Sequence, residues 1–271
     1  LASPALAVPG EPSFEQRGLT PSTRQNSAER PIRFAPTAPT GAVLVVPVLG
    51  ADGIGAAAAQ LPAGAADAIK AGIANARFDG KPGKTLALYG VAGHPQLLLV
   101  GVKPGAAVVE TDLADFGGKA AQALRDEPNE IALLTGGLPA GSAPYVAYGA
   151  ALGQYRYDRL KSAPKVPPVA AVTVVTADAG AGVAYQADLA QLASGVRFAR
   201  DLVTTPANEL YPESFVAAVQ AELKGVPNVR ITVLDEPQMR ALGMGSLLGV
   251  GQGSRRPSRL LAVEYRGGGN A

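Results

Sequence analysis

Residues 42–55 read Ala42-Val-Leu-Val-Val-Pro-Val-Leu49-Gly50-Ala-Asp-Gly53-Ile-Gly55, and an alanine-rich run to Ala76 follows. Ala42–Leu49 is apolar, largely β-branched, and the length of one strand. Pro47 has no N–H to give to a ladder, so this strand is expected at a sheet edge or at a bulge. The run Ala56–Ala76 carries Ile69 and Ile73 four apart and is predicted helical, broken near Pro62-Ala63-Gly64.

The alternation continues outward. Gly80-Lys81-Pro82-Gly83 is turn chemistry. Thr85–Tyr89 and Leu97–Val102 are predicted strands around a Gly93-His94-Pro95 turn. Asp112–Leu124 is a predicted helix capped by Thr111 or Asp112. Ile131–Leu134 and Val169–Val175 are predicted strands, with a helix over Pro144–Leu152 between them. Asp178–Gly182 is a Gly/Ala-rich break. Beyond it, Leu189, Leu192, Val196 and Ala199 mark a helix over Asp188–Leu202. Then come a Thr205-Pro206 turn, a helix over Pro212–Leu223, a strand over Arg230–Leu234, a short helix near Glu236–Leu242, a glycine-rich stretch, and a strand over Leu260–Tyr265. Strands that alternate with helices predict α/β architecture, with one domain over 32–182 and a second over 187–271.

Composition narrows the chemistry. The chain has 271 residues, 47% hydrophobic and 17% charged, enough apolar surface for a core. It has no cysteine, which excludes disulfides, thiolate metal sites and cysteine nucleophiles. One histidine excludes a His-x-x-x-His metal motif. A net charge of +2 makes no electrostatic case for nucleic acid. The longest apolar run, Ala42–Gly50, is far below the roughly twenty residues that span a bilayer. Residues 1–31 are expected to be a disordered tail or the remnant of a signal. The opening Leu-Ala-Ser-Pro-Ala-Leu-Ala ends in an A-x-A pattern and is also an Ala/Pro-rich tail.

Several features can carry chemistry, each beside a plainer reading. Gly50–Gly55 follows a strand and opens a helix, so its N–H groups can face a phosphate; a strand–helix turn needs the same glycines. Gly249-Val-Gly-Gln-Gly253-Ser254 is followed by Arg255-Arg256-Pro257-Ser258 and then a strand, so it is expected to be a structural loop. His94 is expected in a surface turn. Asp52, Asp67, Asp79, Asp112 and Asp115 are scattered singly and assemble no carboxylate cage by spacing. Arg255, Arg256 and Arg259 form a small basic cluster that suits a phosphate or, more simply, a solvated loop. No G-x-S-x-G elbow occurs.

Residues 198–266 are the most distinctive. Asp201-Leu202-Val203, Thr205-Pro206-Ala207-Asn208-Glu209, Leu242-Gly243-Met244-Gly245, Gly249–Ser254 and Glu264-Tyr265-Arg266-Gly267 occur in this order and spacing. This resembles the opening of the catalytic domain of the leucyl (cytosol) aminopeptidase family of dimetal peptidases. Phe78–Leu86 and Leu98–Gly101 are similar to that family's N-terminal domain. The resemblance implies a mixed-sheet N-terminal α/β domain, then the start of a zinc-peptidase-like α/β domain. It implies removal of N-terminal, leucine-like residues from peptides, two divalent ions (manganese or zinc) that activate a bridging water, a hexamer, and a cytoplasmic location. An export remnant at the start would instead place the protein in the periplasm or outside the cell.

One departure is decisive. The family's ligand motifs, of the forms K-G-x-x-F-D-T-G-G and N-T-D-A-E-G-R, are absent from this sequence. No catalytic, cofactor-binding or metal position is therefore carried over to any residue. Asp235 and Glu236 are adjacent and in extended backbone point to opposite faces. Thr204–Glu209 is expected to fix a turn. The second domain is expected to be incomplete. Leu260–Tyr265, largely apolar, suits a central strand whose neighbours lie in a complementary C-terminal half. Two alternatives stay open: a non-catalytic α/β binding module without a metal site, and a phosphate binder built on Gly50–Gly55.

Overall fold

A computed structural model describes residues 29–50, 53–104, 108–163 and 168–268. They form two compact units that divide between Arg200 and Asp201.

The first unit is built on a six-stranded sheet. Its strands are β1 (Ile32–Ala35), β2 (Val43–Val48), β3 (Thr85–Val91), β4 (His94–Gly101), β5 (Ile131–Leu134) and β6 (Val172–Val175). They lie in the order β1-β6-β5-β2-β4-β3, all parallel except β3. A 3-10 helix over Gly55–Gln60 and α1 (Ala65–Ala76) follow β2, α2 (Glu110–Ala123) follows β4, and α3 (Ala143–Gly153) follows β5. Strand alternation sorts the core into two layers. Val43, Val45, Leu98, Val100, Ile131, Leu133, Val172 and Val174 meet Phe116 of α2 and Val146 of α3 on one face. Leu44, Val46, Leu97, Leu99, Ala132 and Leu134 meet Ala57 and Ile69 on the other. Both faces are apolar because both are covered.

Pro47 corrects the sequence reading of β2. The strand is central, between β4 and β5. Leu44–Val48 pairs with β4, whereas the ladder with β5 ends at Val45. Val43 donates its N–H to Glu130 on the β5 side, and the Val48 carbonyl accepts from Val102 on the β4 side. Odd-numbered residues thus aim their backbone groups at β5, and Pro47 falls where that ladder has ended. A missing N–H is tolerated there without an edge or a bulge.

Order begins earlier than Ile32. Arg30 is buried, and its guanidinium donates to three main-chain carbonyls: Ala170 at 2.6 Å, Glu127 at 3.0 Å, and Asn129. Its own N–H donates to Gln154 Oε1 at 2.8 Å. Burial lowers the Arg30 pKa, and Glu127 and Glu130 oppose that shift. The rest of the expected tail, residues 1–28, lies outside the described residues.

Other boundaries move. Helix α2 starts at Glu110, so neither Thr111 nor Asp112 is its cap; Asp112 sits in the first turn, and its Oδ2 accepts the Val109 N–H at 3.0 Å. The strand expected from Val169 begins at Val172. The expected break at 178–182 leads straight into helix. Here α4 (Ala181–Ala184), a π-helical turn (Tyr185–Leu189) and α5 (Ala190–Thr204) follow without interruption.

The second unit comprises α6 (Pro212–Glu222), β7 (Val229–Leu234), α7 (Glu236–Ala241), α8 (Gly245–Gly251) and β8 (Leu260–Tyr265). Strands β7 and β8 are antiparallel, from Val229 opposite Tyr265 to Leu234 opposite Leu260. Asp235 caps α7, its Oδ1 accepting from the Gln238 N–H while Gln238 Oε1 accepts from the Asp235 N–H. Among the described residues β8 has β7 as its one partner, and Val263 and Tyr265 are exposed.

Candidate functional site

The Gly50–Gly55 loop is the first candidate, and Ala51 and Asp52 lie outside the described residues. Gly50, Gly53 and Gly55 all have positive φ. The Leu49 N–H donates to the Gly53 carbonyl at 2.8 Å, and the Gly53 N–H donates to the Gly50 carbonyl at 3.3 Å. This is a self-bonded turn that uses glycine for left-handed backbone. The six-residue helix after it is already approached by the loop that follows β5. A Cβ on Gly136 would press on Ala57 Cα, and one on Gly137 would sit 3.6 Å from the N atoms of Ala56 and Ala57. Gln60 ties the two loops, its Oε1 accepting from the Gly136 N–H at 2.6 Å. The glycines serve the turn and the close approach of two loops.

The second glycine stretch is a loop only in part: Gly249 and Gly251 lie in the last turn of α8, and Gln252 and Gly253 follow as a turn. A Cβ on Gly251 would meet Ser258 Oγ, and Gly251 does not have a positive φ. Of the three arginines, Arg256 stacks 3.9 Å above the Tyr211 ring, and Arg259 lies 3.9 Å from Glu213. These two cations each face a protein neighbour.

His94 is not a turn residue. The hairpin turn is Ala92-Gly93, both at positive φ, and His94 opens β4 opposite Val91. Its Nδ1 lies 2.7 Å from the Ala42 carbonyl oxygen.

Among the acids, Asp79 bonds Lys84 Nζ at 3.0 Å and the Lys81 N–H at 3.2 Å. The Lys84 bond first, and the Lys81 N–H next, hold its carboxyl down at about 2. Asp67 lies 3.8 Å from Lys70, and Asp112 lies 3.9 Å from Lys103. Glu110 accepts from the Tyr145 hydroxyl at 2.7 Å and raises the phenol pKa. Among the described residues no group of three or more His, Asp or Glu side chains is placed to hold a metal ion. The described side chains therefore do not fit a dimetal centre. After α5, the Glu209 and Leu210 N–H groups both donate to the Pro206 carbonyl at 2.9 Å, so the Thr204–Glu209 segment is a turn.

Two family profiles match in the order of the chain. Residues 45–164 match the N-terminal domain of the cytosol aminopeptidase family, and residues 197–271 match its catalytic domain. The chain belongs to the cytosol aminopeptidase family. A probable cytosol aminopeptidase from Bradyrhizobium sp. strain BTAi1 is 38% identical over 225 residues, which are 79% of this chain and 44% of that protein. One from Caulobacter vibrioides is 38% identical over 209 residues, 74% of this chain and 41% of that protein. The chain thus spans less than half the length of these cytosol aminopeptidases. A mutant of tomato leucine aminopeptidase matches in structure with a TM-score of 0.77 at 21% identity, over 94% of this chain and 54% of that one; it shows the shared α/β fold. The bottromycin maturation enzyme BotP, solved in complex with Mn, matches with a TM-score of 0.62 at 26% identity, over 83% of this chain and 45% of that one.

Sequence reasoning placed His94 wrongly and passed over the Ala42 carbonyl that holds it. Ala42 immediately precedes β2 and His94 opens β4, and only the parallel pairing of those strands makes them neighbours. No local signal carries that.

Proposed function

We propose that the protein is a leucyl-aminopeptidase-like metallo-exopeptidase that removes N-terminal, leucine-like residues from peptides. The observation that carries this reading is the ordered pair of family profiles, N-terminal domain then catalytic domain. In this reading 32–182 is the N-terminal domain and 187–271 opens the catalytic domain. The described residues assemble no ligand cluster. We therefore assign no catalytic or metal role to any residue of this chain, and place the two divalent ions, manganese or zinc, on residues of a complementary C-terminal half. Manganese is favoured by the Mn complex of BotP. A hexamer and a cytoplasmic location follow from the family reading; no helix among the described residues is long and apolar enough to cross a membrane.

The test is turnover of leucine p-nitroanilide with added manganese or zinc. The 271-residue chain alone is expected to be inactive, and activity is expected when it is joined to a downstream half from a related aminopeptidase. Metal-dependent turnover by the isolated chain would overturn the placement of the ions. No turnover by the joined protein, with both halves folded, would overturn the activity.

A further inference from the structure

Strand β1 lies at an edge of the six-stranded sheet, with β6 as its one partner among the described residues. Its main-chain groups alternate in direction. The Val172 N–H donates to the Pro31 carbonyl and the Thr176 N–H to the Ala35 carbonyl, both at 2.9 Å, so the odd-numbered residues face β6. Ile32 and Phe34 therefore aim their N–H and C=O groups outward, and no described residue bonds to them. An open edge of this kind is a template for another strand.

A shallow groove runs beside this edge. One side is Ile32 and Phe34, whose side chains share the sheet face of Val172 and Val174. The other side is Gly182 and Val183 of α4, then Gln186 and Ala187 of the π-helical turn. The Phe34 ring packs on Tyr185 with centroids 5.8 Å apart, and a Cβ on Gly182 would stand 3.3 Å from that ring. The lining is open to a visitor: Val183 is 76% exposed, Gln186 and Ala187 are exposed, and Ile32 and Phe34 are half-buried. On the opposite face of the same strand, between Ile32 and Phe34, Arg33 is exposed and forms no ion pair among the described residues. An unpaired strand edge, a helix set beside it and a free cation in the middle of the strand thus occur together.

We propose that β1 takes an extended segment of a partner chain as an added antiparallel strand, with the side-chain pattern apolar, acidic, apolar. The register follows from the edge. A residue opposite Phe34 and another opposite Ile32 each exchange both N–H···O bonds with their β1 neighbour. Residues directly opposite share a face, so these two side chains enter the groove toward Phe34 and Val183 and are apolar. The residue between them stands opposite Arg33, in a pair without main-chain bonds, where side chains approach closest. An acid there meets the unpaired guanidinium. The open edge supplies affinity, and the alternation of groove and cation supplies the sequence preference. This inference does not rest on the peptidase reading.

The probe is acetyl-Thr-Val-Glu-Val-Thr-amide, blocked at both ends so that an exopeptidase cannot consume it. It is titrated into the full chain, labelled with nitrogen-15, and amide exchange at Ile32 and Phe34 is followed by NMR. Both amides are expected to exchange fast in the free chain and to slow by about tenfold or more at saturation. Methylating both valine nitrogens, whose hydrogens face β1, is expected to abolish binding. Methylating the glutamate nitrogen, which faces away, is expected to leave it. Replacing the glutamate by lysine is expected to weaken binding about threefold, and Arg33→Glu to reverse that preference. Val183→Asp, at an exposed position, is expected to weaken binding while the remaining amide signals report an intact fold. Slow exchange at Ile32 and Phe34 in the free chain would overturn the proposal, because another segment of this chain or a second copy would already pair the edge. No saturable response, equal binding of the valine-methylated peptide, indifference to the charge exchange, or unchanged binding by folded Val183→Asp would each overturn it as well.

Discussion

Strands β2 and β8 are both predominantly apolar in sequence, and they meet opposite fates. In β2, every residue from Val43 to Val48 is buried, between two strands and two helical layers. In β8, Leu-Leu-Ala-Val-Glu-Tyr, Val263 is 47% exposed and Tyr265 69% exposed. The contrast extends to the units that hold them. The first has two apolar layers, one on each face of its sheet. In the second, Val216, Val219 and Met239 are the buried hydrophobic residues among those described. Burial therefore belongs to the neighbours a strand acquires and not to its own composition. A strand of hydrophobic side chains stabilises a fold only where something covers it.

The comparison can be broken most forcefully where two helices on one face of the first unit's sheet approach closest. A Cβ on Gly149 of α3 would fall onto the Ala114 carbonyl oxygen of α2, and one on Gly117 would fall onto the Val146 carbonyl oxygen. These helices touch backbone to backbone. Gly149→Val is expected to cost about 3 kcal/mol or more, read by urea denaturation. A cost below about 1 kcal/mol, within the ordinary range for point mutations, would show that the two helices can separate without consequence.

A pair of truncations sharpens the contrast itself. Leu44→Ala, at a fully buried position in β2, is expected to cost about 3 kcal/mol. Val263→Ala, at an exposed position in β8, is expected to stay within about 0.5 kcal/mol. Equal costs measured in the same chain would show that β8 is covered in solution.

The smallest effect is electrostatic and lies at the surface of the first unit. Asp79 is held at about 2 by Lys84 and the Lys81 N–H. Its folded pKa lies below the unfolded carboxylate value. Its contribution is thus present above about pH 4 and is lost as pH falls through about 2. A carboxyl titration followed by NMR is expected to give that low midpoint, and Lys84→Met is expected to move it toward the ordinary Asp value. A midpoint already ordinary in the unmutated chain would show that solvent has dissolved the contact.

Much of the α/β order was legible because it is written locally. Thr85–Tyr89, Leu97–Val102 and Ile131–Leu134 announce strands by their apolar runs, and Pro212 opens a helix as a first-turn proline should. The errors have one physical cause. Ile32–Ala35 is a strand because β6 lies beside it; Arg30 is inside because three carbonyls from distant loops receive it; Gly249 and Gly251 lie in a helix, α8, that packs against α7. Of the groove beside β1, the sequence showed neither wall, the strand β1 nor the helix α4.

By itself, then, the sequence determined most of the strands and helices, excluded cysteine chemistry, and carried the family in its ordered motifs. The tertiary structure alone decided that a strand with a proline is central, that Nδ1 of His94 faces Ala42, and that β1 lies at an edge of its sheet. Apolar pattern and turn chemistry act over a few residues, whereas parallel pairing joins residues 43 and 131, or 44 and 97, across spans that no local pattern encodes.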